Sequence, residues 1–212
     1  MFCGVDEAGK GAVLGPMVVA GVSLRNLHVL DRLGVLDSKL IPQKKREEIF
    51  VTIQDICTCH AVYITPGEID EWIPRESMNM IVARAHAACI TALLPETAFL
   101  DACDVNEQRF ARTVHNLLRT PCSVVAEHRA DLSHSIVGAA SIIAKVLRDR
   151  AIHDLSLEYG DIGSGYPSDK KTIQFLSEYI AEHENPPPCA RASWSTVTGL
   201  LSARAQSSLA DF

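Results

Sequence analysis

The chain has 212 residues, 47% hydrophobic, 22% charged and 6% aromatic, a composition that suits a globular protein able to bury a sizeable core. It excludes a disordered, collagenous or coiled-coil chain, and the longest apolar run, around residues 17–22, falls short of the roughly 18 to 20 residues a membrane span requires. A net charge of −6 argues against a generic polyanion binder, because non-specific affinity for nucleic acid rises with the number of phosphates neutralised.

Residues 2–5 form a short apolar run that leads through Asp6 and Glu7 to a glycine-rich turn at residues 9–11, and a second apolar run covers residues 17–24. Two strands joined by a loop is the natural reading. After Pro42 the spacing of Ile49, Ile53 and Ile56 predicts an amphipathic helix, and residues 59–64 predict a strand. Met78, Ile81, Ala85, Cys89 and Ala92 recur at steps of three and four and predict a second helix with an apolar stripe. Residues 97–100 read as a buried strand ending at Asp101, and residues 123–126 as another. A long helix follows, with Ile136, Ala140, Ile143 and Leu147 on one face and Gly160 near its end. Strands alternating with helices indicate an α/β fold. Past a proline-rich break at residues 185–188, residues 194–205 predict one last helix and residues 206–212 a short tail. The expected organisation is a main domain over 1–184, a helical extension over 185–205 and the tail over 206–212.

Seven cysteines, an odd number scattered from Cys3 to Cys189 in a chain too large to need stapling, indicate a reduced compartment. No basic-then-apolar leader is present, so the mature chain is expected to begin at Met1 and to be soluble and cytoplasmic, without membrane contact. Three basic groups could line a local groove: Lys39 with Lys44, Lys45 and Arg46; Lys145 with Arg148 and Arg150; and Lys170 with Lys171. Taken singly, each reads as a solvated helix face.

Gly4-Val5-Asp6-Glu7-Ala8-Gly9-Lys10-Gly11 nearly matches the phosphate-cradling GxxxxGK[ST] pattern. Gly11, however, stands where a hydroxyl would hold magnesium, and Asp6 and Glu7 would set two carboxylates in a loop meant to surround phosphates. The acids make better sense as metal ligands. Adjacent carboxylates repel each other, and a hard divalent cation removes the repulsion. Because a strict pleat sends neighbours to opposite faces, the backbone is expected to bend at Asp6 and Glu7, which Gly9 and Gly11 permit. From this dipeptide alone, a solvated turn remains open. Acids recur at strand ends: Asp101 closes one strand, and Asp131 lies between another strand and the long helix, where ligands collect in open α/β sheets. Four carboxylates in one place would suit two metal ions roughly 3.5–4 Å apart. For Asp131 alone, a helix-capping role stays open as well.

The string of residues 4–11 followed by Leu14-Gly15-Pro16 resembles the opening of type 2 ribonucleases H, the ribonuclease HII family, in an archaeal-like form. Later fragments agree in order: Asp37-Ser38-Lys39; Leu100-Asp101-Ala102; residues 126–131, ending in Asp131; Ala139-Ala140-Ser141-Ile142-Ile143-Ala144-Lys145; and Gly163-Ser164-Gly165-Tyr166-Pro167-Ser168-Asp169. The resemblance implies a ribonuclease H-like fold, a mixed five-stranded sheet flanked by helices with a helical C-terminal part. It implies metal-dependent cleavage of RNA in RNA/DNA hybrids and cutting 5′ of ribonucleotides embedded in duplex DNA, as in ribonucleotide excision and primer removal. On that carry-over Asp6, Glu7, Asp101 and Asp131 are the catalytic acids and hold Mg2+ or Mn2+. One ion would activate the attacking water and the other would stabilise the leaving 3′ oxygen, giving 5′-phosphate and 3′-hydroxyl ends.

Gly9, Lys10 and Gly11 are the implied reader of the 2′-hydroxyl that distinguishes RNA from DNA. Lys10 stands where the family often has arginine, so backbone contacts survive while a forked guanidinium contact does not. Tyr166 is implied to stack on the sugar beside the junction, although the residues alone read as a turn aromatic against Pro167. Ser38, Lys39 and Lys145 match positions near substrate phosphates. Trp194 matches a family pattern and is expected to anchor the C-terminal helix. His128 and His134 read as structural, and Cys57-Thr58-Cys59-His60 has the wrong spacing for zinc. The tail matches QxxLxxF through Gln206, Leu209 and Phe212, resembling peptides that dock on sliding clamps of the proliferating-cell nuclear antigen type. A monomer is the implied default. The competing expectations are another nuclease or recombinase of the same fold, and a nucleic-acid-binding domain without turnover.

Overall fold

The structure, a computed structural model, describes residues 1–36 and 41–210, with the backbone alone over residues 207–210. Strand β1 (Phe2–Ala8) pairs antiparallel with β2 (Met17–Leu24) in a ladder from Phe2↔Leu24 to Ala8↔Val18. Asp6 and Glu7 are therefore rungs of the ladder, and the bend expected at them does not occur there. Once both are paired, the pleat turns them to opposite faces. The chain turns instead at Gly9, whose φ is +83°.

The sheet is five-stranded in the order β3-β2-β1-β4-β5, completed by β3 (Thr58–Ile64), β4 (Thr97–Asp101) and β5 (Ser123–Glu127). β4 runs parallel to β1 and to β5, so the sheet is mixed, as the resemblance implies. The helices, in chain order, are α1 (His28–Asp31), α2 (Gln43–Ile56), α3 (Pro66–Trp72), α4 (Met78–Leu93), α5 (Glu107–Leu117), α6 (Ala130–Ser133), α7 (Ser135–Tyr159), α8 (Lys170–His183) and α9 (Ser195–Ala210). Local sequence starts several of them. Thr65 and Glu68 close a capping box ahead of α3, while Ser77, Asn106 and Asp169 accept backbone N–H bonds at the starts of α4, α5 and α8.

The chain divides into two compact units. The first holds residues 1–8, 18–63 and 77–147, and the second residues 9–17, 64–76 and 148–212. In the first, α7 lies so close to β1 that a Cβ on Gly4 would stand 2.3 Å from the Ile136 carbonyl oxygen, which glycine alone allows. Around this contact Ala20, Val22, Phe50, Ile53, Val137, Ala140 and Ile143 form a continuous core. The apolar face of α4 is broader than its predicted stripe: Val82, Ala83, His86, Ala87, Ile90 and Leu93 are buried with it, and Ala92 is exposed.

The second unit buries Val13, Leu14, Ile152, Ile162, Leu176, Ile180, Cys189, Ala190 and Val197 together. Residues on both sides of the proline-rich break share this core. Helix α9 also runs through residue 206 to Ala210, so the expected tail does not start as a separate segment. Trp194 packs against this core at the start of α9 and takes the Arg191 guanidinium over its ring at 5.0 Å, an anchoring role as expected.

No helix among the described residues is long and apolar enough to cross a membrane. None of the seven cysteines is in a disulfide. Burial pushes the Cys59 thiol up to about 11 and Cys89 up to about 12, far from the thiolate form that binds metal. Cys57 and Cys59 pack against the first unit's core.

Candidate active site

The ladder between β1 and β4 ends on the pair Val5↔Leu100, so the next residue on each strand is an acid, Asp6 and Asp101. Parallel strands bring like ends together, and neighbours in register on such strands lie about 4.8 Å apart and point to the same face. Asp6 is only 5% exposed. Its Oδ1 accepts the Glu7 N–H at 2.7 Å, and its carboxyl also hydrogen-bonds Ser141 of α7. Burial, then repulsion from Glu7 and Asp101, pushes the Asp6 carboxyl up to about 8, against the weaker pull of Ser141 and Lys145. Lys145 stands one turn beyond Ser141 and donates to its hydroxyl at 2.6 Å, so it belongs to this acidic environment.

Asp101 Oδ1 accepts the Ala130 N–H at 2.9 Å. Burial raises its pKa. The Ala130 bond opposes that shift, Glu7 and Asp131 add repulsion, and His86 adds a small attraction. Asp131 is buried inside the short helix α6. Arg129 occupies the N-cap position of α6, so the capping role left open for Asp131 at that helix is not taken. Glu7, on the other face of β1, meets the ring of His86, whose Nε2 lies 3.1 Å from Glu7 Oε2.

Repulsion therefore links Asp6 to Glu7 and Asp101, and Asp101 to Glu7 and Asp131, although Asp6 and Glu7 leave β1 on opposite faces. Their oxygens are the hard donors that Mg2+ or Mn2+ takes, and a divalent cation would relieve the repulsion that raises Asp6. Among the described residues, no three His, Cys, Asp or Glu side chains stand as a ready coordination set. The fit to a cation rests on donor chemistry and charge.

The glycine loop belongs to the second unit, where two buried arginines hold it. Arg191 is fully buried and donates to three loop carbonyls, Lys10 O at 2.8 Å, Gly9 O at 2.6 Å and Gly15 O at 3.2 Å. Arg148, 3% exposed, donates to Ser164 O at 3.1 Å and lies 4.6 Å from the Tyr166 ring centre. The solvated-face reading of the run at residues 145–150 is thus wrong for Arg148, whose guanidinium is captured by carbonyls and an aromatic face. Among the described residues, no carboxylate forms an ion pair with either guanidinium. Burial, and then repulsion from Arg148, lowers Arg191 to about 10, which leaves it charged at neutral pH.

Gly9 is required by the fold: with φ at +83°, a Cβ there would meet Arg148 Nε at 2.5 Å. Gly11 differs, since it is exposed and a Cβ would find nothing within 4 Å. Tyr166 is half-buried, in a turn held by Ser164 N donating to Asp169 Oδ2 at 2.7 Å and Gly165 N donating to Thr172 Oγ1 at 2.9 Å. Its partner is the Arg148 guanidinium. Ser38, Lys39 and Phe212 lie outside the described residues, as does the side chain of Leu209. Gln206 is exposed on α9. Lys171 pairs with Asp161 at 2.6 Å and Lys45 with Glu48 at 3.1 Å, both on the surface. His134 Nε2 lies 3.1 Å from Glu127 Oε2 and its ring stacks on Phe99, while His128 Nδ1 lies 3.3 Å from Ala102 O.

Sequence reasoning assigns no role to His86 or Arg191, and it marks Arg148 only as one member of a basic run. Ser141 was within reach, since it sits one helical turn before Lys145 inside a quoted fragment. His86 and Arg191 show no local signal.

A mixed five-stranded sheet in this order, with acids just past the last rung of its parallel β1–β4 ladder, defines the class of ribonuclease H-like, metal-dependent nucleases. The chain matches the family Ribonuclease HII over residues 3–197. It is 52% identical over 212 residues to ribonuclease HII of Methanoregula boonei, covering 100% of both chains. Among solved structures, ribonuclease H2 from Pyrococcus horikoshii OT3 superposes with a TM-score of 0.91 at 38% identity, over 97% of this chain and 99% of that one. Ribonuclease HII in the PCNA:RNase HII complex from Archaeoglobus fulgidus superposes with a TM-score of 0.89 at 43% identity, over 94% and 96% of the two chains. The chain belongs to the ribonuclease HII family. It is accordingly a metal-dependent ribonuclease H acting on RNA/DNA hybrids.

Proposed function

We propose that the chain also cuts 5′ of single ribonucleotides embedded in duplex DNA, and that Asp6, Glu7, Asp101 and Asp131 hold the two divalent cations, Mg2+ or Mn2+, on which both activities depend. The observation that carries this reading is the placement of Asp6 and Asp101 just past the last rung of the parallel β1–β4 ladder, where burial and then repulsion from Glu7 and Asp101 raise the Asp6 carboxyl to about 8. Like charges gathered out of water are unfavourable for the fold alone and mark a functional site. The cations would supply Lewis acidity and neutralise charge for an in-line displacement at phosphorus. The chain's own part is to hold the carboxylates. Backbone N–H groups fix Asp6 and Asp101, Ser141 steadies Asp6, and Lys145 offers a positive charge for a substrate phosphate.

The glycine loop and Tyr166 are proposed to read the ribose. Exposed Gly11 leaves its backbone open to close approach, and Arg191 and Arg148 keep the loop and the aromatic ring from rearranging. Lys10 would add a point charge toward phosphate in place of a planar fork. The tail residues Gln206, Leu209 and Phe212 are proposed to dock on a sliding clamp, a reading supported by the Archaeoglobus relative solved with PCNA.

The deciding experiment incubates a DNA duplex carrying one ribonucleotide with Mg2+ or Mn2+, using the wild-type chain and Asp101→Asn. Cutting 5′ of the ribonucleotide by the wild type, sparing of all-DNA duplex, and loss of turnover in a folded Asp101→Asn variant are the expected results. Cleavage of all-DNA duplex, or full activity in the variant, would overturn the reading.

A further inference from the structure

We infer that His86 is a positioning residue for Glu7, setting that carboxylate in place before any cation binds. The inference rests on the reading of Glu7 as a metal ligand.

Asp6 and Asp101 are short acids, and each is fixed by a backbone donor, the Glu7 N–H and the Ala130 N–H respectively. Glu7 has one more rotatable bond and accepts no backbone bond among the described residues. Its bond is to His86, 79 positions away on α4, at 3.1 Å between Nε2 and Oε2. An ionised carboxylate only accepts, so Nε2 carries the imidazole proton and Nδ1 is left with a lone pair.

That Nδ1 is buried and has no hydrogen-bond partner among the described residues. His86 itself is 0% exposed, surrounded on α4 by Val82, Ala83, Ala85, Ala87, Cys89 and Ile90, all buried. An aliphatic side chain at this position would leave no orphaned nitrogen. What the imidazole adds is the donor at its other nitrogen. The ring cannot easily swing away, because Phe110 of α5 meets it edge-on, with centroids 5.3 Å apart and planes at 82°.

Glutamate loses substantial side-chain freedom when ordered. A donor that holds Oε2 in advance takes that ordering out of the binding step and leaves Oε1 open to a cation. Outer partners that orient a ligating group change metal affinity when removed, by roughly 10-fold to 100-fold. A stiff imidazole locked between two helices and a strand suits that part.

The test titrates metal-free protein with Mn2+ alone, following the free-ion electron paramagnetic resonance signal, for the wild type, His86→Phe, His86→Gln and Glu7→Gln. Melting in chelator shows that each variant folds, and His86→Leu serves as a second donor-free variant should His86→Phe melt without cooperativity. The expected result is Mn2+ binding weakened about 10-fold or more in His86→Phe. His86→Gln, whose amide can donate to the same oxygen, should recover most of the loss, and Glu7→Gln should lose at least as much as His86→Phe. Wild-type affinity in His86→Phe, alongside weakened Glu7→Gln, would overturn the positioning role and leave the metal reading standing. Equal losses in His86→Phe and His86→Gln would overturn it as well, because the donor would then be irrelevant. Unchanged affinity in Glu7→Gln would instead sink the underlying assignment of Glu7.

Discussion

Replacing Asp6 by Asn should make the metal-free protein more stable. The carboxyl is 5% exposed, and burial together with repulsion from Glu7 and Asp101 holds its pKa at about 8 against the ordinary 3.8. Between those two values the folded chain binds the proton more tightly than the unfolded chain, so stability falls as pH rises across the interval. The penalty is absent below pH 3.8, grows up to pH about 8 and stays constant above that. At neutral pH the interval crossed is about three pH units at ~1.4 kcal/mol each, a penalty of ~4 kcal/mol. Asn has nearly the same shape, can still accept the Glu7 N–H, and carries no charge to repel. For a chain of 212 residues, ~4 kcal/mol corresponds to a rise in melting temperature on the order of 10 °C. Calorimetric melts in chelator at pH 4, 5.5, 7 and 8.5 should show the gap between Asp6→Asn and wild type opening with pH. Added Mn2+ should raise the wild type and close the gap. A variant that melts at or below the wild type at pH 7, or a gap of the same size at pH 4, would refute the account of Asp6.

Gly9→Ala should lose about 2–4 kcal/mol, from its left-handed backbone and the 2.5 Å approach to Arg148 Nε, whereas Gly11→Ala should melt within about 0.5 kcal/mol of wild type and raise KM at a ribonucleotide junction. Equal melting of the two variants would contradict the division of labour in the loop. Arg191→Met strips the donors from the carbonyls of Gly9, Lys10 and Gly15 and should cost about 3 kcal/mol in a urea titration. An unchanged midpoint would mean that the carbonyls find other donors. Deleting residues 206–212 should abolish binding to a sliding clamp in surface plasmon resonance while sparing cleavage of free duplex; retained clamp affinity would remove the tail from the interface.

How far the sequence foretells this fold depends on how strong the local pattern is. β2 was readable to both ends, and α2, α4 and α7 were readable as helices, because long apolar periods bounded by proline, glycine or serine leave few alternatives. α3 carries a capping box and a proline in its first turn, but its seven residues are too few for a period to register. α5 buries only Phe110 and Val114, and α8 only Thr172, Leu176 and Ile180, so polar residues dominate both and conceal the apolar face. β1 was cut short for a related reason. Asp6 and Glu7 look like a strand terminus, and the β4 ladder does stop at Val5, yet the antiparallel partner β2 carries β1 on to Ala8.

The acids of the site were legible because a carboxylate at a strand end is conspicuous in one dimension, whereas His86, Arg148 and Arg191 become conspicuous only in three. A histidine on an apolar helix face reads as packing, and an arginine reads as solvated until the fold shows what surrounds it. The surroundings also separate the two kinds of buried charge. Arg191 remains charged, its pKa lowered only to about 10 by burial and then by Arg148, and its guanidinium donates to three carbonyls, so the charge holds the loop. Asp6 is raised to about 8 by burial first and then by repulsion from Glu7 and Asp101, against the weaker pull of Ser141 and Lys145. Fixed dipoles around a buried charge make it part of the scaffold. At Asp6 burial and like charges leave an electrostatic deficit in the metal-free fold, and the proposed cation is of the sign that would relieve it.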